Sequence, residues 1–199
     1  MPSDRLILGF DTSAAHCAAA LLSGDQLIAS TAEDMGRGQA ERLFPLLEEL
    51  LAGAGATWAD LHALGVGVGP GNFTGIRISV AAARGLALAL EIPAIGVTTF
   101  EATSWGHTTP HIACAPAPRG QVYVAPPGTA PALMPLDTAQ ALGLPLLSPP
   151  APATLAEHIA RVAATRADQP APPPAPLYIK AADAAPPRDP APLILTDGA

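Results

Sequence analysis

An acid and two hydroxyls stand in a row near the start of the chain: Asp11-Thr12-Ser13, directly after the apolar run Leu6-Ile7-Leu8-Gly9-Phe10. A carboxylate at a strand end can meet a metal–phosphate complex. It can equally accept bonds from the turn that follows, with Thr12 and Ser13 closing that turn. Further along lies Gly69-Pro70-Gly71-Asn72-Phe73-Thr74-Gly75-Ile76-Arg77. A strand-like run, Leu64-Gly65-Val66-Gly67-Val68, precedes it, and an Ala/Leu-rich run from Ile78 to Leu90, broken only by Gly85, follows. Glycines therefore cluster where a strand turns into a helix. Glycine admits positive φ and the close approach of a ligand or another backbone. Thr74 is placed to cap the helix, and such a helix start can hold an anion. No Lys-Ser/Thr pair follows, so this is not a P-loop. Asp11, Thr12, Ser13, Gly69, Gly71, Asn72 and Thr74 are the candidate phosphate-loop residues, read as vestigial because neither a lysine nor a second acid accompanies them.

Other chemistries find less support. His107 and His111 are four apart, but Pro110 between them breaks a helix, so they do not form a helical ligand pair. His16, His62 and His158 have no ligand-type neighbours in sequence, and no metal site is assigned. Ser13 and Ser104 lack a Gly-x-Ser-x-Gly elbow. Cys17 and Cys114 lie far apart in apolar runs and read as buried free thiols of a reducing compartment. No catalytic residue is assigned. The net charge is −7 and Lys180 is the only lysine, so no basic patch for nucleic acid is visible and any RNA contact is expected through a partner. Neither a signal peptide nor an unbroken apolar span is read, and a cytoplasmic location is expected.

These residues need a scaffold. Strands are expected over 5–11, 16–22 and 27–33, with hairpin chemistry at Ser23-Gly24-Asp25-Gln26. Leu43, Leu46, Leu47, Leu50 and Leu51 repeat three or four apart and predict a helix over 39–54, with Pro45 in its second turn and Gly53 and Gly55 ending it. A strand at 64–68, a helix over 74–91, a strand at 95–97 and a helix from Thr98 or Thr99 towards Trp105 follow. Residues 1–109 hold 4 of the 24 prolines and 110–199 the other 20. The expected division is a regular first lobe, 1–109, and a reduced Pro/Ala-rich second lobe, 110–199. The second carries strands at 112–115, 121–125 and 177–179 and helices at 137–142 and 154–166. Residues 169–176 read as a linker or polyproline-like loop, not core, and the tail after Pro186 as poorly ordered. The order of elements looks like an α/β, actin-like ATPase (ribonuclease H-like) two-lobe fold, with mixed sheets flanked by helices and ligand between the lobes.

The combination Phe10-Asp11-Thr12-Ser13, Gly67-Val68 and the glycine string through Ile78, then Arg119-Gly120-Gln121-Val122-Tyr123, resembles the TsaB (YeaZ) family, with Leu177-Tyr178-Ile179-Lys180 similar to a signature near the family's end. The resemblance implies a non-catalytic relative of TsaD. Such a protein pairs with the TsaD transferase and the TsaE ATPase to place a threonylcarbamoyl group on the adenosine beside the tRNA anticodon. It implies no cofactor of its own, with ATP or ADP at a partner interface, and a homodimer through the same helices when TsaD is absent. Three departures stand out. Pro116 takes the place of a carboxylate usual at the start of the second lobe, Asn72 that of a serine, and Ser79, expected to crowd helix packing, that of a glycine. The implied partner surface is the pair of helices, with Leu43, Leu46, Leu47, Leu50, Ile76, Arg77, Val80, Ala83 and Ala87 as contact residues; the same stripes can also cover the chain's own sheet, and the two readings are compatible. Arg77, one turn into its helix, opposes the helix dipole and calls for a partner carboxylate on another chain or on helix 39–54. A free-standing actin-like ATPase or small-molecule kinase is the alternative; a peptidase is a third reading, without a ligand set.

Overall fold

The computed structural model describes residues 5–179; the expectations for Lys180 and for the tail after Pro186 lie outside them. Five strands, β1 (Leu6–Asp11), β2 (His16–Ser23), β3 (Gln26–Asp34), β4 (Leu61–Gly67) and β5 (Ala94–Val97), form one sheet in the order β3-β2-β1-β4-β5. β1, β2 and β3 meander antiparallel, whereas β4 and β5 run parallel to β1 and to each other. The hairpin turns at Gly24-Asp25, with Ser23 opposite Gln26 and Gly24 at φ 56°. This meander with parallel crossovers is the ribonuclease H-like sheet of the actin-like fold expected above.

Helices cover both faces. On one, α1 (Gln39–Gly53) and α2 (Phe73–Leu90) pack Leu43, Leu46, Leu47, Leu50, Ile76, Val80 and Ala83 onto Leu8, Phe10, Leu64 and Val66. The other face is closed by α5 (Pro152–Ala164), whose Leu155, Ile159, Val162 and Ala163 meet Ile7, Leu22, Ala63 and Ile95. The proline-rich half of the chain thus contributes a helix to the first sheet. α3 (Thr99–Ser104) follows β5 and also packs against α5. Gly9 makes the α5 docking close: a Cβ there would stand 2.5 Å from the Ala156 carbonyl oxygen and 2.7 Å from the Ala160 Cβ.

The remaining elements form a four-stranded sheet, β8-β7-β6-β9, with its own small core of Ile112, Cys114, Val122, Val124 and Ala139. Its strands are β6 (Ile112–Pro116), β7 (Gln121–Ala125), β8 (Ala132–Pro135) and β9 (Leu146–Leu147), and α4 (Leu136–Gln140) lies between the last two. β8 and β9 are additions to the sequence reading; four and two residues long, they leave almost no period to detect. The helices expected at 137–142 and 154–166 start earlier, at Leu136 and at Pro152, where proline's fixed φ suits a first turn.

Two expectations are corrected at the C-terminal end of the described residues. Residues 177–179 do not form a strand, although the Leu177 N–H donates to the Val68 carbonyl at 2.8 Å. The supposed linker 169–176 lies against the sheet edge, with Pro174 buried beside Gly96. By length and mean hydropathy, 1.4, α2 also passes the minimum for a membrane span that the sequence reading found nowhere. Arg77 and Arg84 interrupt it, and one face belongs to the core.

Gly9→Ala is expected to destabilise the protein by about 1–3 kcal/mol through overpacking beneath α5. Gly85→Ala, whose Cβ would meet nothing within 4 Å, is expected to stabilise it by about 0.5–1 kcal/mol through helix propensity. Urea denaturation of both variants checks the pair.

Candidate functional site

The C-terminal ends of β1 and β4 deliver the candidate loop residues to one place. The glycine string begins after β4, and α2 starts at Phe73 with Asn72 as its cap: Asn72 Oδ1 accepts from the Gly75 N–H at 2.9 Å. Thr74, the expected cap, is the second helical residue and is exposed, so its side chain stands past the capping position. The Ser13 carbonyl accepts from the Asn72 N–H at 2.6 Å, and Thr12 Oγ1 donates to the Gly75 carbonyl at 2.7 Å. Gly71 and Gly75 are glycines because the carbonyls of Ser13 and Thr12 occupy the space a Cβ would need. The loop concavity that could have cradled phosphate is filled by the protein's own backbone.

Asp11 is 1% exposed, and its Oδ2 is committed. It accepts from the Ser13 N–H (3.1 Å), from Ser13 Oγ (2.9 Å) and from His16 Nε2 (2.7 Å), while Oδ1 lies against Gly67 with no partner in the described residues. His16, given no partner in the sequence reading, is therefore part of this cluster. The Asp-to-His spacing of five across a turn carries no helix or strand period, and only the antiparallel return of β2 brings the ring back. Gly69 is held from the other side, its carbonyl accepting from the Thr99 N–H at 2.8 Å while Thr99 Oγ1 donates to the Pro70 carbonyl at 3.1 Å. Thr98 caps α3 in a reciprocal capping box with Glu101, which also receives Arg166. Burial pushes the Glu101 carboxyl up; the bonds from the Thr98 backbone, Arg166 and the Thr98 hydroxyl outweigh it and hold it below its ordinary value.

Above this floor, between the two sheets, opens a cleft of about 340 Å³ walled by Pro70, Pro116, Pro149 and Leu155. Among the described residues neither lysine nor arginine lines it. A magnesium–triphosphate complex does not fit these residues: the Asp11 oxygen nearest the turn is taken, Pro116 offers no acid, and no lysine or arginine of the described residues faces the cleft.

Leu43, Leu46, Leu47, Leu50, Ile76, Val80 and Ala83 are between 0 and 7% exposed and form the core under the helices, so they are corrected as contact residues; the apolar stripe faces the sheet. Ala87 is half-buried and Arg77 exposed. Among the described residues Arg77 meets no carboxylate: its guanidinium stacks over the Phe73 ring at 3.7 Å, and Nε donates to the Tyr178 hydroxyl at 2.9 Å. Ser79 is accommodated, its hydroxyl 3.0 Å from the Gly67 carbonyl. Cys17 is buried, and its thiol is pushed up to about 11, chiefly by burial. His107 and His111 do meet, with ring centroids 5.6 Å apart, because the chain around Pro110 is a loop; both His111 nitrogens lie within hydrogen-bond reach of Thr109 and Ser104 oxygens.

Residues 31–130 match the family model described as TsaD, tRNA N6-adenosine threonylcarbamoyltransferase. The TsaB protein of Escherichia coli, described as a tRNA threonylcarbamoyladenosine biosynthesis protein, is 36% identical over 122 residues, 59% of this chain and 52% of that one. The chain belongs to the TsaB (YeaZ) family. The match spans about half the length of that curated TsaB relative. An uncharacterized protein of Mycobacterium tuberculosis is 37% identical over 172 residues, covering 75% of this chain and 79% of its own. Among solved structures, YeaZ from Pseudomonas aeruginosa superposes with a TM-score of 0.65 at 23% identity, over 87% of this chain and 99% of that one, and shares the fold.

Asn72→Ala is expected to cost about 1 kcal/mol by loss of the cap, and Thr74→Ala close to nothing, in chemical denaturation. The depressed Glu101 carboxyl contributes stability that is present above its ordinary value of 4.5 and is lost as pH falls through the lower folded value. Glu101→Gln is therefore expected to flatten the loss of stability below about pH 4.5, read from denaturation midpoints across a pH series.

Proposed function

We propose that this chain acts in tRNA threonylcarbamoyladenosine biosynthesis as a non-catalytic subunit that binds and activates a TsaD-like transferase. The observation that carries the reading is the outer face of α2. Phe73, Arg77, Ala81, Arg84 and Leu88 recur three or four apart on the side away from the sheet, and Leu88 is 84% exposed. Arg84 makes no ion pair among the described residues. On the same face of the sheet, α1 turns Phe44 outward, 42% exposed, beside Glu48 and Trp58. A large exposed apolar side chain on an otherwise helical, mixed-charge surface is what a helix-packing partner covers.

The contact residues in this reading are thus the outward set, with Arg77 retained from the sequence list and the inward leucines replaced by Phe44 and Leu88. The chain supplies no cofactor; ATP or ADP belongs to a partner interface, and a TsaE-like ATPase and the tRNA reach it through the complex. Two copies pair through the same face when the transferase is absent. The proline wall at Pro116 and the engaged Asp11 weigh against a free-standing ATPase or kinase.

Mixing the full chain with its TsaD-like enzyme at micromolar concentration is expected to give a complex by light scattering. Leu88→Asp is expected to weaken it at least about tenfold while leaving the fold intact, since Leu88 contributes little to the core. No complex, or one indifferent to Leu88→Asp, overturns the reading.

A further inference from the structure

The cleft between the sheets rejects phosphate on the grounds given above, yet its floor is polar and only partly engaged. His16 lines it with a side chain 7% exposed. Its Nε2 faces the Asp11 carboxylate at 2.7 Å. A carboxylate only accepts, so Nε2 carries a proton; in the tautomer with that single ring proton, Nδ1 presents a lone pair. That nitrogen has no partner among the described residues. Asn72 lines the same cleft; its Oδ1 is used to cap α2, which leaves the Nδ2 donor without a protein partner among the described residues. The other hydroxyls of the lining are engaged: Ser13 and Thr99 donate to Asp11 and to the Pro70 carbonyl, and Ser148 Oγ pairs with Cys114 Sγ at 3.7 Å. One open acceptor and one open donor therefore sit in an apolar-walled space with a buried carboxylate beneath it.

We propose that this cleft is a binding site for a small uncharged ligand of primary-amide type, whose N–H donates to His16 Nδ1 and whose carbonyl accepts from Asn72 Nδ2, and that it excludes anions of the same shape. Asp11 fixes the imidazole tautomer from below and acts as a positioning residue. Replacing the ligand amide by a carboxylate removes the donor and sets a negative charge over Asp11 with no lysine or arginine of the described residues in the lining to meet it. The volume, about 340 Å³, admits one aromatic ring with its amide.

The test uses the full chain alone, so its outcome is independent of transferase binding. Benzamide is titrated against carbon-labelled histidine, with the His16 ring resonances and the Thr99 methyl as readouts, and benzoate is the isosteric anion. Benzamide is expected to shift His16 saturably with a Kd of about 10 mM or below, as its nine heavy atoms allow. Benzoate is expected to bind at least about tenfold more weakly. His16→Phe should abolish the shift at Thr99. Should that variant fail to fold, Asn72→Asp, which keeps a capping oxygen but loses the donor, should weaken benzamide about tenfold. Absence of a saturable shift at His16, equal binding of benzoate, or indifference to Asn72→Asp overturns the proposal.

Discussion

The turn between the first two strands is bolted to the start of α2, and the rest of the molecule is arranged around that joint. Two backbone carbonyls, of Thr12 and Ser13, press into positions where only glycine leaves room, and Thr12 and Asn72 close the contact with hydrogen bonds in both directions. This contact sets the height of α2 over the sheet and pulls Asp11 out of solvent. It also points Asn72 both at its own helix and at the cleft, while the return of β2 brings His16 onto the carboxylate. A loop shape that elsewhere could surround an anion is here a device for holding a helix, because amides that might have faced a ligand face the protein's own oxygens.

That division between inherited shape and present use explains what could be read from the residues. The five-stranded sheet and its two long helices were legible because Leu43, Leu46, Leu47 and Leu50 carry a clear helical period and the strands are apolar runs bounded by turn chemistry. The glycine string was legible as a strand-to-helix joint. What filled it was not, since a backbone carbonyl leaves no mark on sequence. Asp11 with His16 was missed for a related reason: the pairing belongs to the turn that joins β1 to β2. Arg77 found Tyr178 across a separation of 101 residues, which local pattern cannot reveal. The inward leucines were open to two readings, cover for their own sheet or a partner surface, because an amphipathic stripe says that a face is apolar without saying which body it meets.

The same helices show how one element serves two masters. α1 and α2 commit their periodic apolar positions to the sheet, so selection on the outer residues is free of the core. The outer face is consequently mixed: Glu48 and Phe44 on one helix, Arg77, Arg84 and Leu88 on the other, with Ala81 allowing a close approach between. Arg42 is excluded from that repertoire, because it is clamped between Glu33 and Glu49 and ties α1 to the edge strand.

The return of α5 to the first sheet has a consequence for synthesis. When a ribosome has released residues 1–109, every strand of that sheet exists, but one side of it is naked. Ile7, Ala63 and Ile95 wait for a cover encoded more than forty residues later, beyond an entire second sheet. The nascent chain must carry this unfinished layer until Ala164 emerges, so the region most dependent on chaperone shelter is its most regular part, the one that reads as an independent unit.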